Sequence, residues 1–424
     1  MSWDNNYLNF KNVFGSSNIE ASEQRSKLFN SFMTNGLPTK RDEAWKFTSL
    51  SDFKEIDWKL NGENENLLTH EQMQQISKHL PSAFINFVFV NGKLNLTLSD
   101  DNDGLFEIST IESSDFEFDE KNTENRLLNL SQAFLTKKIN FNVLKQKTIE
   151  KTVQILFIQS SPDSVFQSDK LNLSVGENSE IKLLINTMSL SPTKANAINL
   201  NLNVKLEKAS RLSFVQLQNE NQKSFHFSQT RFQLNSSAQL TSLVLSLGGR
   251  LIRNYFHVDF IGENALAGVY GLGVLDADQH LDNYTFLQHS LGNNESIQHY
   301  KSILSGSSSS AFRGRVLIEP NSQKAKSEQL NNNLLLTRTA KADSVPQLEI
   351  FADDVKAGHG ATFGQLNKDE IFYFLTRGIN QYQAVKMLSY GFAKEMIYKI
   401  ENEDIQNYLI AAFNQKLDSM VQNA

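Results

Sequence analysis

Ile198-Asn-Leu-Asn-Leu-Asn-Val-Lys-Leu206 alternates apolar and polar side chains over most of its length. Successive side chains of a strand point to opposite faces, so this stretch reads as a strand with one apolar face. The pattern returns in Phe225-His-Phe-Ser-Gln-Thr-Arg-Phe-Gln-Leu234 and in Tyr255-Phe-His-Val-Asp-Phe260. Between these lie shorter strand-like pieces that each start at a small or polar turn: Asn178-Ser-Glu-Ile-Lys-Leu, Ala209-Ser-Arg-Leu-Ser-Phe, Ser237-Ala-Gln-Leu-Thr-Ser and Asn264-Ala-Leu-Ala-Gly-Val. Their first residues are 31, 28 and 27 positions apart. A period of this size marks a stacked array in which each unit buries its apolar face against its neighbours. A jelly roll also supplies many short strands, and the regular spacing favours a β-helix over it.

The flanks differ from this core. Residues 1 to about 80 read as mainly helical, with Ile19, Leu28, Phe29 and Phe32 at helical spacing. Phe84 to Leu98 reads as a hairpin around Asn91-Gly92, a pair suited to the positive φ angles of a type I′ turn. Residues 100–125 are acidic and polar and read as loop, and Arg126 to Thr136 as a short helix. After Gly364, Asn367 with Glu370 has the shape of a capping box. Gly378 closes that helix, Val385, Leu388 and Phe392 share a face of the next, and Ile405, Leu409, Phe413 and Leu417 mark a last amphipathic helix. The expected fold is mainly β: a helical or mixed N-terminal domain over 1–150, a β-helix core over 151–365 and a helical C-terminal domain over 366–424.

Composition narrows the function. A chain of 424 residues, 40% apolar and 21% charged, has the make-up of an ordinary globular protein with a large core. Thirty Phe and only six Pro suit uninterrupted sheet. A net charge of −6 argues against a nucleic-acid partner. No apolar run approaches the ~20 residues of a membrane span, and the N-terminus lacks the basic and apolar regions of a signal peptide, so a cytoplasmic protein without membrane contact is expected. There is no cysteine, hence no disulfide and no thiolate. No Gly-x-x-x-x-Gly-Lys-Ser/Thr occurs, so no nucleotide is expected in a P-loop. Ser305-Gly-Ser-Ser-Ser-Ser-Ala311 reads as an exposed low-complexity turn.

One stretch carries the chemistry: Pro346-Gln-Leu-Glu-Ile-Phe-Ala-Asp-Asp-Val-Lys-Ala-Gly-His-Gly-Ala-Thr-Phe-Gly364. Leu348, Ile350 and Ala352 alternate with polar residues as in a half-buried strand. Gly358 and Gly360 suggest a sharp turn that leaves the His359 imidazole uncovered, either as a structural turn residue or as a ligand. Asp353 and Asp354 are adjacent, so on a strand they point to opposite faces and cannot easily converge on one ion; solvation or turn capping fits them better. His280, His289 and His299 are too widely spaced for a zinc site and suit structural roles. His226 and His257 lie inside alternating strands and are expected to face outward.

The same stretch resembles the C-terminal signature of the SufB/SufD family of iron–sulfur cluster assembly. That signature runs proline, x, leucine-glutamate-isoleucine, x, alanine-aspartate-aspartate-valine, x, cysteine, serine, histidine-glycine-alanine. The match extends from Pro346 to Ala361, with Ala357 where the family usually has cysteine and Gly358 where it usually has serine. Asn331-Asn-Asn-Leu-Leu-Leu336, Arg377-Gly378-Ile379 and Gly391-Phe392 resemble further family markers, and Gly36 to Leu50 resembles its N-terminal pattern, in which Trp45 is expected in the core. The missing cysteine makes the chain resemble the SufD branch. The resemblance implies a right-handed β-helix core and a non-catalytic scaffold subunit. Implied partners are SufB, met through β-helix edges, and the ATPase SufC, met through the C-terminal helices with Arg377, Gly378, Ala384, Leu388, Gly391 and Phe392. A homodimer is open when SufB is absent. It also implies His359 as candidate ligand of iron or of a nascent cluster shared with SufB. The alternative considered is a β-helix polysaccharide lyase or hydrolase.

Overall fold

A computed structural model describes residues 3–14, 19–60, 68–101, 104–112, 125–191 and 193–422. Its centre is a β-solenoid of about eight coils, with helices before and after it in the chain. Each coil gives one strand to each of two sheets. The first sheet is built, in spatial order, from β4 (Phe106–Glu112), β5 (Lys137–Val143), β7 (Val165–Val175), β9 (Ala197–Leu206), β11 (Phe225–Leu234), β13 (Leu251–Phe260), β15 (His280–His289), β17 (Ser309–Ile318) and β19 (Lys341–Ile350), with β1 (Lys59–Leu60) beside β7. The second runs β3 (Lys93–Leu94), β2 (Phe84–Val90), β6 (Thr152–Gln159), β8 (Glu180–Ser189), β10 (Arg211–Asn219), β12 (Gln239–Ser246), β14 (Leu266–Leu275), β16 (Glu295–Leu304), β18 (Lys326–Leu335) and β20 (Lys356–Gly364). From β5 and β6 onward all pairing is parallel, and along the second sheet each coil from β8 onward advances the chain by 27 to 31 residues.

The corner from the first sheet to the second explains why the period is visible in the sequence. Asn178, Ala209, Ser237, Asn264, Asn293 and Lys324 occupy it in successive coils, all with φ between 54 and 61°. Left-handed backbone favours small or polar residues, above all Asn. The corners bond to one another: the amides of Ala209, Ser237 and Asn293 donate to the carbonyls of Ser236, Glu263 and Gln323, each at 2.9 Å.

Inward-facing Leu, Ile, Val and Phe fill the lumen as one cluster from Ile85 to Ala352, so the core runs unbroken across residue 150. Phe232 stacks on Phe256 at 5.9 Å, each burial of this kind contributing about 1.5–3 kcal/mol. The outer faces are covered too. Helices α1 (Trp3–Phe14), α2 (Ile19–Asn35), α3 (Ser51–Glu55) and α5 (Arg126–Ala133) place Tyr7, Phe29, Phe53 and Phe134 against Phe166, Phe225 and Phe227 of the first sheet. α4 (His70–Ser77) seats Ile76 on Val88 and Leu156 of the second. α7 (Gln381–Ile397) and α8 (Glu403–Gln422) cover Leu217, Leu245 and Leu272 farther along it.

Several details depart from the sequence reading. Residues 106–112, expected as loop, form β4, antiparallel to β5; residues 113–124 of that expected loop lie outside the described residues. The hairpin is present, with φ of 50° at Asn91 and 79° at Gly92, but its return strand is two residues long. The serine run is not an exposed turn: Ser305, Ser308 and Ser310 are buried and its second half opens β17, because small hydroxyls fit inside a stacked corner where Ser308 donates to the Leu275 carbonyl at 3.2 Å. Trp45 is half-buried under the Arg253 guanidinium, 3.9 Å from the ring centroid. His226 does not face outward. It is fully buried in the lumen, bonded to Glu220 at 2.7 Å and Gln216 at 3.0 Å. The flanking Phe225 and Phe227 point the other way, under the N-terminal helices. His257 does face outward, opposite the lumen-facing Phe256 and Val258, but is largely buried and lies 2.8 Å from Asp259.

Candidate functional site

The last coil ends on two uncovered strands. β19 and β20 are the terminal strands of their sheets, each paired on one side only. Their residues are half-buried or exposed throughout, with Phe351 and Phe363 63% and 53% exposed. An open edge is a row of main-chain donors and acceptors without partners, which suits pairing with another chain.

His359 lies on this edge. The expected turn is instead the strand β20, with Ala357, His359, Ala361 and Phe363 in register with the lumen-facing Ser327, Gln329, Asn331 and Asn333 of β18. The two glycines do not bend the chain; no further strand covers β20, and for that reason the imidazole is exposed as expected. A Cβ on Gly358 would meet nothing within 4 Å. Asp353 and Asp354 form the corner between β19 and β20 with exposed side chains. The Asp354 carbonyl accepts from the Lys324 amide at 2.6 Å, the last rung of the corner ladder, which is a structural task. Among the described residues no group of three or more His, Asp or Glu could hold a metal ion. His359 therefore offers one imidazole, and further ligands would have to come from another molecule or from the cargo.

The three widely spaced histidines of the strand region all have partners within the chain. His280 bonds to Thr48 and Ser309, His289 to Ser296, and His299 to Asn332. Burial pushes all three imidazoles below their ordinary range, His289 to about 4.

Beside the open end, the chain leaves β20 for α6 (Lys368–Thr376). Asn367 caps it by accepting from the Asp369 amide at 2.9 Å, without the reciprocal Glu370 bond of a capping box. Gly378 follows with φ 78°. This helix buries none of its residues: Phe372, Tyr373 and Leu375 are 66%, 57% and 43% exposed. The run Ile371-Phe-Tyr-Phe-Leu375 was the signal in the sequence for this patch, and periodicity alone did not single it out. α7 is anchored by Lys301, which donates to Glu395 at 2.7 Å and to the Phe392 carbonyl at 3.0 Å. Of the residues expected to meet a partner, Arg377, Gly378 and Gly391 are exposed, Leu388 and Phe392 half-buried, and Ala384 fully buried. The amphipathic face of α8 is as expected, with Ile405, Leu409, Phe413 and Leu417 fully buried.

Comparison with known proteins follows this geometry. The family model described as "SUF system FeS cluster assembly, SufBD core domain" matches residues 157–392. The chain belongs to the SufBD family. The match covers the coils from β6 through β20 and reaches into α7. The chain is 27% identical to the iron–sulfur cluster assembly protein SufD of Escherichia coli over 410 residues, 96% of the chain and 95% of that protein. It is 25% identical to an iron–sulfur cluster assembly SufBD family protein of Synechocystis over 88% of the chain and 86% of that protein. It is 33% identical to the chloroplastic protein ABCI7 of Arabidopsis thaliana over 49% of the chain and 44% of that protein. Within the SufBD family it is most like SufD, and its role lies in iron–sulfur cluster assembly. This displaces the polysaccharide lyase or hydrolase alternative. No helix among the described residues is long and apolar enough to cross a membrane.

Proposed function

We propose that the chain is a non-catalytic scaffold subunit of a cytoplasmic SufB–SufC–SufD assembly, supplying one side of the seam at which a nascent iron–sulfur cluster forms. The observation that carries this reading is the open last coil, two unpaired strand edges with an exposed imidazole on one of them. A related solenoid such as SufB can continue both sheets across the seam by main-chain hydrogen bonds. A second copy of the chain offers the same edges, so a homodimer is the expected form without SufB. Imidazole is a competent iron ligand in Rieske-type centres. With no cysteine in this chain, thiolate ligands come from SufB or from the sulfur donor. The uncovered apolar face of α6, with α7 behind it, is the expected dock for SufC, whose ATP-driven movement would open the seam.

Co-expression with SufB and SufC followed by size-exclusion chromatography tests the assembly; a chain that elutes alone overturns it. His359→Ala is expected to leave the three-protein complex intact and to depress cluster formation. Normal cluster yield from the purified variant complex would reduce His359 to a strand residue without a ligand role.

A further inference from the structure

The lumen changes character toward the open end. One inward-facing column of the second sheet runs in register through Phe214, Ser242, Val269, Gln298, Gln329 and His359. Gln298 and Gln329 are fully buried amides in coils whose lumen also holds Thr285, Asn331 and Asn333. A buried amide without partners costs about 1–3 kcal/mol; these two are bonded to each other, with Gln298 Nε2 left over. Thr285, across the lumen, donates to Gln298 Oε1, and Gln329 Nε2 donates to the same oxygen at 3.2 Å. Gly314 makes room for the second amide: a Cβ there would lie 1.9 Å from Gln329 Nε2. The ladder has a direction. Gln329 uses an N–H toward the interior, and its buried carbonyl Oε1 is left with no partner. The next position of the column, one strand spacing of about 4.8 Å farther out, is His359.

We infer that Gln329 is the positioning residue of His359. A carbonyl only accepts, so the ring nitrogen that meets it must carry the proton. The other nitrogen then keeps its lone pair, which is the form that binds a metal. A rotamer change of the exposed imidazole, a motion of picoseconds to nanoseconds for a side chain in solvent, is the step by which a ring nitrogen would meet Oε1. Once the edge is covered by a partner, the unpartnered carbonyl and the imidazole share a water-poor space and the bond holds. This deepens the ligand reading of His359 and rests on it for its functional consequence, whereas the hydrogen bond itself concerns this chain alone.

The test is the tautomer of His359 in the full-length chain labelled with nitrogen-15 histidine, at a pH about two units above the ordinary imidazole value of 6.5. Its signals are assigned by their loss in His359→Ala. One dominant tautomer is expected in the unaltered chain and a mixture in Gln329→Leu, a change of similar size in a column that holds Phe214 and Val269 in other coils. Gln329→Glu keeps an acceptor and is expected to restore the single tautomer. Gly314→Ala, which displaces the amide, is expected to behave as Gln329→Leu. In the assembled complex Gln329→Leu is expected to slow cluster formation about tenfold, the usual effect of removing such a partner. Unchanged nitrogen-15 shifts in Gln329→Leu, or a tautomer mixture in the unaltered chain, overturn the inference. If the shifts change as expected while His359→Ala still builds clusters at the normal rate, the positioning stands and the ligand reading fails.

Discussion

A single column of the second sheet runs from Phe89, with Leu94 of β3 beside it, to Phe363, passing in register through Phe157, Thr187, Gln218, Ser246, Gly273, Ser302 and Asn333. Its two terminal rings meet opposite conditions. Phe89 is 1% exposed and stacks on Phe157 at 5.5 Å, whereas Phe363 is 53% exposed. At the first end the chain itself finishes the edge of this sheet. Along the outer edge of β2, the Val88 amide donates to Ser99 Oγ at 2.9 Å and the Asn86 amide to the Asp100 carboxylate at 2.8 Å. The carbonyls of Val88 and Asn86 accept from Asn95 and Asp100 at 2.8 Å. Among the described residues no strand pairs with the outer edge of β20. A protein that blunts one edge so thoroughly has the means to blunt both. Under the proposed assembly the second is kept open because another solenoid belongs there.

The comparison breaks most directly at the two phenylalanines. Phe89→Ala is expected to cost about 3–5 kcal/mol, as large-to-small changes in a packed core do, read as a lower urea midpoint. Phe363→Ala in the free chain is expected to stay within about 0.5 kcal/mol while weakening pairing with SufB. Equal losses at the two sites would erase the difference between the ends.

Acid separates the sealed lumen from the open end by the next largest effect. His289 is buried against Phe260, ring centroids 4.3 Å apart, and burial holds its imidazole near 4. In the unfolded chain the same group protonates near 6.5. Between those values the unfolded state binds the extra proton, so stability falls as pH drops from 6.5 toward 4, by about 3 kcal/mol in all. His289→Gln should flatten that part of the stability–pH curve. A variant that keeps the full slope would assign it to other buried groups, His280 and His299 among them.

The dock beside the open end comes next. Phe372→Asp is expected to leave the melting temperature of the free chain unchanged and to reduce SufC binding by about 2 kcal/mol, roughly thirtyfold, measured by calorimetry. Ala384→Glu is the poorer probe, since Ala384 is fully buried and a charge there threatens the fold itself. Undiminished SufC affinity of Phe372→Asp would move the dock off α6. Last, Gly358→Ala should change neither stability, within about 0.5 kcal/mol, nor cluster yield, because open space surrounds the site and its φ is not left-handed. A clear loss would mean that the Gly-His-Gly sequence matters for backbone shape after all.

The coils were legible in the sequence because each passes a left-handed corner, and such corners select residues: Asn178, Ala209, Ser237 and Asn264 mark them at the spacing the strands later show. The face assignments were less legible. Alternation says that odd and even positions differ, but His226 between Phe225 and Phe227 sits where both faces are covered, so the phase of the pattern does not tell inside from outside. The strand that carries His359 was not legible, since Gly-x-Gly reads as a turn wherever the neighbouring strand is unknown. Gln298 and Gln329 carried no signal at all. Two glutamines 31 residues apart become a ladder only when the coil length places one above the other. The uncovered face of α6 was likewise invisible, because an apolar helix reads the same whether its cover is its own chain or another.

The corner ladder also bears on how such a chain changes over evolutionary time. Every coil offers the next one the same left-handed corner and the same two strand slots. Removing or duplicating one whole coil would keep each inward column in phase, while a change of a residue or two within a strand would turn it inside out. Length is thus free to vary in steps of a coil, and the two edges of the second sheet, one met by the chain itself and one open, travel unchanged with whatever lies between them.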